Sequence, residues 1–511
     1  MEGFMLITRL MALGLFAATA TVAAPHTVLA QAGDRSITIA LPTDPNYLDG
    51  CSISSRQIGI VLRQNVVETL TVLNPENSQP MPRLSTNWEQ VTDNTWRFNL
   101  RKGVKFHDGA DFNAEAVAIA LKRHFNANIA CLDRTKIKNV EISTKVVDDH
   151  TIEITTDPPQ VLLPVLLNFV GMTAPAADNT KLVREPVGTG PYAFKSWNSD
   201  GDITIERFAG YWGEKPQIKK ATYVVRGESA LRAAMVDLGE ADIGVDIAHQ
   251  DATNPTLDFS FFNTETTRVR IVMTAPPLDD IRVRKALNLA FDRDAFVGTI
   301  LDKGVLKSTQ FFLPNINGYN HDLDVWQYDP EQAKKLLADA KADGVPVGQE
   351  IRLIGRIGFF TNQEEMLQAM AQMWDAVGFN IKVEMMEKGQ WLDLVNRPYP
   401  PERPAMLIQE QHDNGNGDAV FTMPFKYRTG GQQSDMSVPE LDKILDDAAV
   451  SVGEKRTKLF QEANRIVADE VIPAVPQYHM VAFMRVGPNL DFTPDSTCNG
   501  QLELSKIKFK K

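Results

Sequence analysis

The chain has 511 residues, with 65 Asp and Glu against 53 Lys and Arg and a formal net charge of −12. An acidic sequence with no basic block argues against nucleic acid and against an anionic membrane surface as partners. Hydrophobic and aromatic contents of 43% and 8% are ordinary for a globular protein and exclude wholesale disorder.

Residues 1–30 read as a secretory signal. Arg9 precedes an apolar run at 10–24, and Val28-Leu29-Ala30 offers a small-residue cleavage site, with Ala30-Gln31-Ala32 as the alternative. The run falls short of the ~20 residues that span a bilayer. No Cys lies near the cut, so a soluble periplasmic protein is expected. The most apolar later stretch, 161–174, is interrupted by Pro164 and Asn168 and is expected to be buried, so the chain is not expected to be membrane-embedded. About 480 residues then remain, enough for two or three units with cores of their own.

Residues 36–260 are mixed and strand-rich. A first strand is expected at 37–40. Asn113 caps a helix with Ala116, Val117, Ala120 and Leu121 on one face. Trp96-Arg97-Phe98-Asn99-Leu100 and Thr151-Ile152-Glu153-Ile154-Thr155 alternate like half-buried strands. From about 278 helices alternate with strands. Val283, Ala286, Leu287, Ala290 and Phe291 keep helical spacing, and Asp329-Pro330-Glu331 is a cap, a first-turn Pro and a first-turn acid.

The next unit is the clearest. A strand at 351–354, a helix at 362–377 ended by Gly378, and a strand through Phe379, Ile381, Val383 and Met385 predict a β-α-β unit with parallel strands. Met366, Met370, Met373 and Val377 form the buried face of the helix. A further strand is expected at 405–410. Ligands of open parallel sheets bind beyond the carboxyl ends of the strands. Two segments hold that position, Gly355-Arg356-Ile357-Gly358 and the loop expected at 411–418, which begins Gln411-His412-Asp413-Asn414. One offers a fixed cation, the other a carboxylate with small neighbours.

Cys51, Cys131 and Cys498 allow one disulfide, and the sequence does not say which two pair. No Cys-x-x-Cys occurs, no metal site is expected and no cofactor is called for. No Gly-x-Ser-x-Gly, His-Glu-x-x-His or Walker loop occurs, so a hydrolase is the weaker reading, as is a periplasmic chaperone. The run from Asp413 to Asp418 fails as a calcium loop, because Gly occupies two ligand positions and Pro424 stands where a bidentate Glu belongs.

Five segments occur in order: Val67-Glu68-Thr69-Leu70; Leu100 through Phe106-His107-Asp108-Gly109; Val187-Gly188-Thr189-Gly190-Pro191-Tyr192; Pro277-Leu278-Asp279-Asp280 through Leu287; and Pro439-Glu440-Leu441-Asp442. Together they resemble the family 5 extracellular solute-binding proteins of ABC transporters, the peptide, nickel and opine type, and among them the dipeptide- and oligopeptide-binding proteins. The resemblance runs from Ile37 to Val486; Ala116, where the family usually has Asp, puts one capping contact in question. It implies an α/β two-lobe periplasmic-binding-protein fold of class II, cluster C. Lobe I would span 31–275 with an inserted subdomain at about 80–190, lobe II 276–475, and 476–511 would return to lobe I.

The resemblance further implies a monomeric receptor, not an enzyme, that captures a short peptide or amino-acid conjugate and delivers it to the permease subunits of a transporter. An opine, a sugar-related solute or a nickel chelate is the alternative cargo. In dipeptide-binding members an Arg takes the ligand carboxylate and an Asp its amino group, in positions held here by Arg356 and Asp413, with Asn414 adjoining. Downstream, Asn416-Gly417-Asp418-Ala419 departs from the family's usual Asp-Pro-Asp-type run, so the dipeptide cargo does not transfer automatically. Tyr47, after the first strand, and Trp391, in a short helical segment at 390–395, are ring candidates for the cleft. His412 is the one His placed to line it.

Overall fold

Two long strands, Asp258–Ile271 and Ala474–Val486, run antiparallel through the middle of the main sheet. Their register shifts between Phe262 and Thr266 and again between Thr266 and Arg268. At the break Thr264 holds φ +66, a left-handed conformation that β-branched residues seldom adopt. On one side, Ala474–Val486 pairs with Ile243–Ile247, and the sheet continues through Arg35–Leu41, Ile218–Val225, Ile203–Arg207 and Tyr192–Trp197. On the other, Asp258–Ile271 pairs with Met406–Asp413, followed by Glu350–Arg356 and Asn380–Met386. The chain thus crosses twice between two lobes. The computed structural model that carries these features describes residues 35–137, 140–360, 362–400 and 402–511; the expected signal segment lies outside them.

Each side has its own core. Lobe I buries Ile37, Ile39, Val61, Tyr192, Ile205 and Tyr223. Lobe II buries Val269, Leu287, Phe291, Leu353, Met370 and Trp374. A third core lies against a four-stranded antiparallel sheet, Ser85–Thr92, Thr95–Leu100, Thr151–Asp157 and Glu141–Asp148. The helix Ala114–His124 contributes Val117 and Leu121 to it. Asn113 caps that helix, its side chain accepting from Ala116 N at 2.9 Å; this bond uses the backbone of residue 116 and so does not depend on its side chain. Asp329 caps Pro330–Ala342 in the same way, accepting from Gln332 N at 2.9 Å.

The β-α-β unit forms as its pattern predicts. Glu350–Arg356 and Asn380–Met386 pair in parallel, and Gln363–Asp375 between them buries Met366, Leu367, Met370 and Trp374. The helix ends before Gly378, at φ +114. One expectation is corrected. The strand expected to stop at 410 continues to Asp413, because each residue from Leu407 to Asp413 has a partner between Ile271 and Glu265. Cross-strand pairing overrides the polar character of Gln411-His412-Asp413.

The family-like motifs lock onto each other. His107 N donates to Gly188 O at 2.9 Å and its ring Nε2 lies 2.9 Å from Gly190 O. A side chain at Gly188 or Gly190 would meet the backbone oxygen of Val66 or Asn65 at 2.1 or 2.2 Å, so both positions need glycine. Glu68, buried beside them, accepts from Thr189 Oγ1 and Trp212 Nε1 at 2.9 Å and from Arg83 Nε at 2.8 Å. Cys51 pairs with Cys131, and Cys498 stays a buried thiol whose pKa burial pushes up to about 12. Among the described residues no helix is long and apolar enough to cross a membrane.

Candidate functional site

A cavity of about 580 Å³ opens where the two lobes face each other beside the strand crossing, within the ~300–1,000 Å³ typical of small-ligand pockets. Thr264, at the register break, lines it. Lobe II contributes Leu313, Asn315, Ile316 and the run Asp413–Asn416; lobe I contributes Arg56, Arg63, Arg83, Lys136, Asn168 and Phe169. Among the described residues no His and no Cys lines it, so these offer neither imidazole nor thiolate to a metal.

Asp413 is brought here by the end of Met406–Asp413. Its Oδ1 accepts from Thr264 Oγ1 at 2.7 Å and from Gly415 N at 2.9 Å, and among the described residues the carboxylate has no ion-pair partner. Asn414, fully buried, donates through Nδ2 to Thr422 Oγ1 at 2.7 Å, while its Oδ1 has no partner. Asn315 donates through Nδ2 to Pro75 O across the lobes at 2.9 Å and likewise keeps a free, buried Oδ1. A carboxylate and two amide oxygens therefore converge as acceptors on the lobe II side.

Arg356, at the end of the neighbouring parallel strand, is not among the lining residues. Its guanidinium lies 3.6 Å from the Phe359 ring centroid and 5.5 Å from that of Trp391. It is half-buried, and burial lowers its pKa against the pull of Glu265. Trp391 is packing: 5% exposed, it donates Nε1 to Gln409 O at 3.1 Å and meets Phe359 edge to face. Tyr47 rests against the lobe I core, with its hydroxyl 3.3 Å from Ser52 Oγ. His412 stacks on Phe311 at 5.4 Å, and its Nε2 lies 2.9 Å from Thr422 Oγ1. Burial, then Lys426 and Arg268, hold it neutral. Neither Tyr47, Trp391 nor His412 lines the cavity.

Sequence reasoning missed Glu265. It sits directly opposite Asp413 across the two strands. Burial first, then the Asp413 charge, push its carboxyl up to about 7, against a hydrogen bond from Gln411 and the fields of Arg56 and Arg356. Its only sequence signal was an acid inside a long strand. Arg63, Lys136 and Asn168 were missed as well; they belong to no motif and come together only in space.

A match to the family described as bacterial extracellular solute-binding proteins, family 5, covers residues 79–426, more than half of the chain. The chain belongs to that family. Family 5 relatives include the dipeptide-binding protein of Escherichia coli (strain K12), 27% identical over 447 residues, 80% of this chain and 82% of that protein. Another is the glutathione-binding protein GsiB of Salmonella choleraesuis (strain SC-B67), 31% identical over 403 residues, 74% of this chain and 76% of that one. The solved structure of HbpA2 from Haemophilus parasuis superposes with a TM-score of 0.81 at 20% identity, covering 93% of this chain and all of that one. At that identity the likeness shows the fold, the two-lobed family 5 architecture. Its members are solute-binding transport proteins, and the cavity between the lobes is where such a protein has room for a solute.

Proposed function

We infer that the interlobe cavity captures a short peptide or amino-acid conjugate, reversibly and unaltered, and that the closed protein presents it to the permease subunits of an ABC importer in the periplasm. The observation that carries this reading is the unpaired Asp413 carboxylate in the cavity wall, at the carboxyl end of its strand and beside the lobe crossing. A carboxylate in that setting accepts from an ammonium, and the free Asn414 Oδ1 adds a second acceptor. Names of relatives, dipeptide-binding and glutathione-binding among them, agree with an amino-acid-derived cargo. The lack of imidazole and thiolate in the lining speaks against bare nickel. Both lobes and both crossing strands come from one chain, so capture between the lobes needs no second copy. Arg356 enters this reading through its field on Glu265, with the ligand contacts assigned to Asp413 and Asn414.

Thermal unfolding against twenty Ala-Xaa dipeptides tests it. A ligand at a hundred times its Kd adds ~2.7 kcal/mol, a rise in Tm of several degrees, and chromatography should recover the peptide intact. Asp413→Asn should weaken the best binder about tenfold or more. Hydrolysis of the peptide, or equal binding by Asp413→Asn, would refute the assignment.

A further inference from the structure

Among the described residues five cations line the cavity on the lobe I side, and three of them are paired. Arg56 meets Asp246 at 3.1 Å, Arg83 meets Glu68 at 2.8 Å, and Lys506 meets Glu503 at 3.0 Å. Arg63 and Lys136 have no ion pair among the described residues. Both lie over the ring of Phe169, at 5.3 and 5.8 Å from its centroid. Arg63 Nη2 donates to Asn168 Oδ1 at 2.5 Å. That bond fixes the amide orientation and leaves Asn168 Nδ2 as the free end. Asn168 is 2% exposed, its Nδ2 is buried without a partner, and so is Arg63 Nε.

The neighbouring carboxylate, Asp133, takes hydrogen bonds from Ser54 N on both oxygens, at 3.2 Å, and from Ser54 Oγ. Burial pushes it up to about 6; its charge acts on Arg63 and Lys136 from beyond ion-pair distance, so it closes no ion pair with either. Buried donors without acceptors are costly, ~1–3 kcal/mol each, and a cluster whose unpartnered buried atoms are donors, beside an apolar ring, suits an anion. Across the same cavity, lobe II presents the opposite pattern, with unpartnered amide oxygens on Asn414 and Asn315 and the Asp413 carboxylate without an ion pair among the described residues.

We propose that Arg63, Lys136 and Asn168 form an anion subsite in lobe I that takes a carboxylate of the solute whose ammonium rests on Asp413 in lobe II. The ligand then spans the two lobes, and its two charges, not contacts between the lobes, supply the affinity of the closed form. The inference rests on the cavity being the solute site and adds where the anionic end is held. It moves the carboxylate grip from Arg356, whose guanidinium lies over the Phe359 ring in lobe II and does not line the cavity, to the lobe I wall.

Calorimetry with the tightest of the Ala-Xaa dipeptides, its C-terminal amide and its N-acetyl form tests this. In the wild type each blocked form should bind about tenfold to a hundredfold more weakly than the free dipeptide. Arg63→Gln and Lys136→Gln should erase most of the preference for the free acid over the amide and leave the N-acetyl penalty intact. Asp413→Asn should do the reverse. The Lys136 side chain makes no hydrogen bond among the described residues, so Lys136→Gln decides the matter if Arg63→Gln fails to fold. Full acid-over-amide preference in Lys136→Gln, or its loss in Arg356→Gln instead, overturns the proposal and leaves the cavity reading standing. Failure of every dipeptide to bind the wild type sinks both.

Discussion

Replacing Glu265 with glutamine isolates an electrostatic cost built into the lobe crossing. The carboxyl is raised from 4.5 to about 7, by burial first and by Asp413 second. At ~1.4 kcal/mol per pH unit, that rise corresponds to roughly 3 kcal/mol. The folded pKa lies above the unfolded one, so between about pH 4.5 and 7 the folded protein holds more protons than the unfolded chain. Its stability must therefore fall across that window as pH rises. The amide that replaces the carboxyl in Glu265→Gln does not titrate. Urea unfolding of the ligand-free protein at pH 4 and pH 8 should show the variant gaining roughly 3 kcal/mol on the wild type between those values, with the two proteins nearly equal at pH 4. A difference between variant and wild type that stays constant within ~0.5 kcal/mol would refute the reasoning.

Other consequences follow from the same contacts. Asp413→Asn removes the charge that helps raise Glu265, so the Glu265 carboxyl, followed by NMR, should titrate at a lower pH than in the wild type; an unchanged midpoint contradicts this. Arg456 and Asp418 are each 2% exposed in their side chains and joined by two bonds of 2.8 and 2.7 Å. Arg456→Ala leaves a buried carboxylate uncompensated, so urea unfolding should show a loss of about 3–5 kcal/mol, and a loss below ~1 kcal/mol would contradict it. The Cys51–Cys131 bridge closes a loop of sequence separation 80. Replacing both with Ser should cost about 4 kcal/mol of unfolding free energy, against no change if the denatured chain were already constrained.

Much of lobe II was legible in the sequence because its signals are local. The period changes from two to 3.6 and back through residues 351–385, and the cap at Asp329 announces its helix without tertiary information, as the cap at Asn113 does in the inserted subdomain of lobe I. The end of the Met406–Asp413 strand was not legible, since Gln411, His412 and Asp413 become strand only through partners more than a hundred residues away. The disulfide was open for the same reason.

The site was half legible. Asp413 could be placed from the rule that ligands sit beyond strand ends, and Asn414 came with it. Arg356 satisfied that rule equally well, yet its side chain folds back onto Phe359, a choice made by packing. Arg63 and Asn168 lie 105 residues apart and meet through two hydrogen bonds from Arg63 Nη2, to the side-chain and backbone oxygens of Asn168. What marks them is a missing partner, a property that exists only once the chain is folded.

The most direct test is a crystal structure with the tightest-binding dipeptide. The peptide should lie between the lobes with its ammonium on Asp413 and its carboxylate toward Arg63, Lys136 and Asn168. Density in the hollow of about 80 Å³ beside Trp326 inside lobe II, or on an outer face of either lobe, would contradict the account.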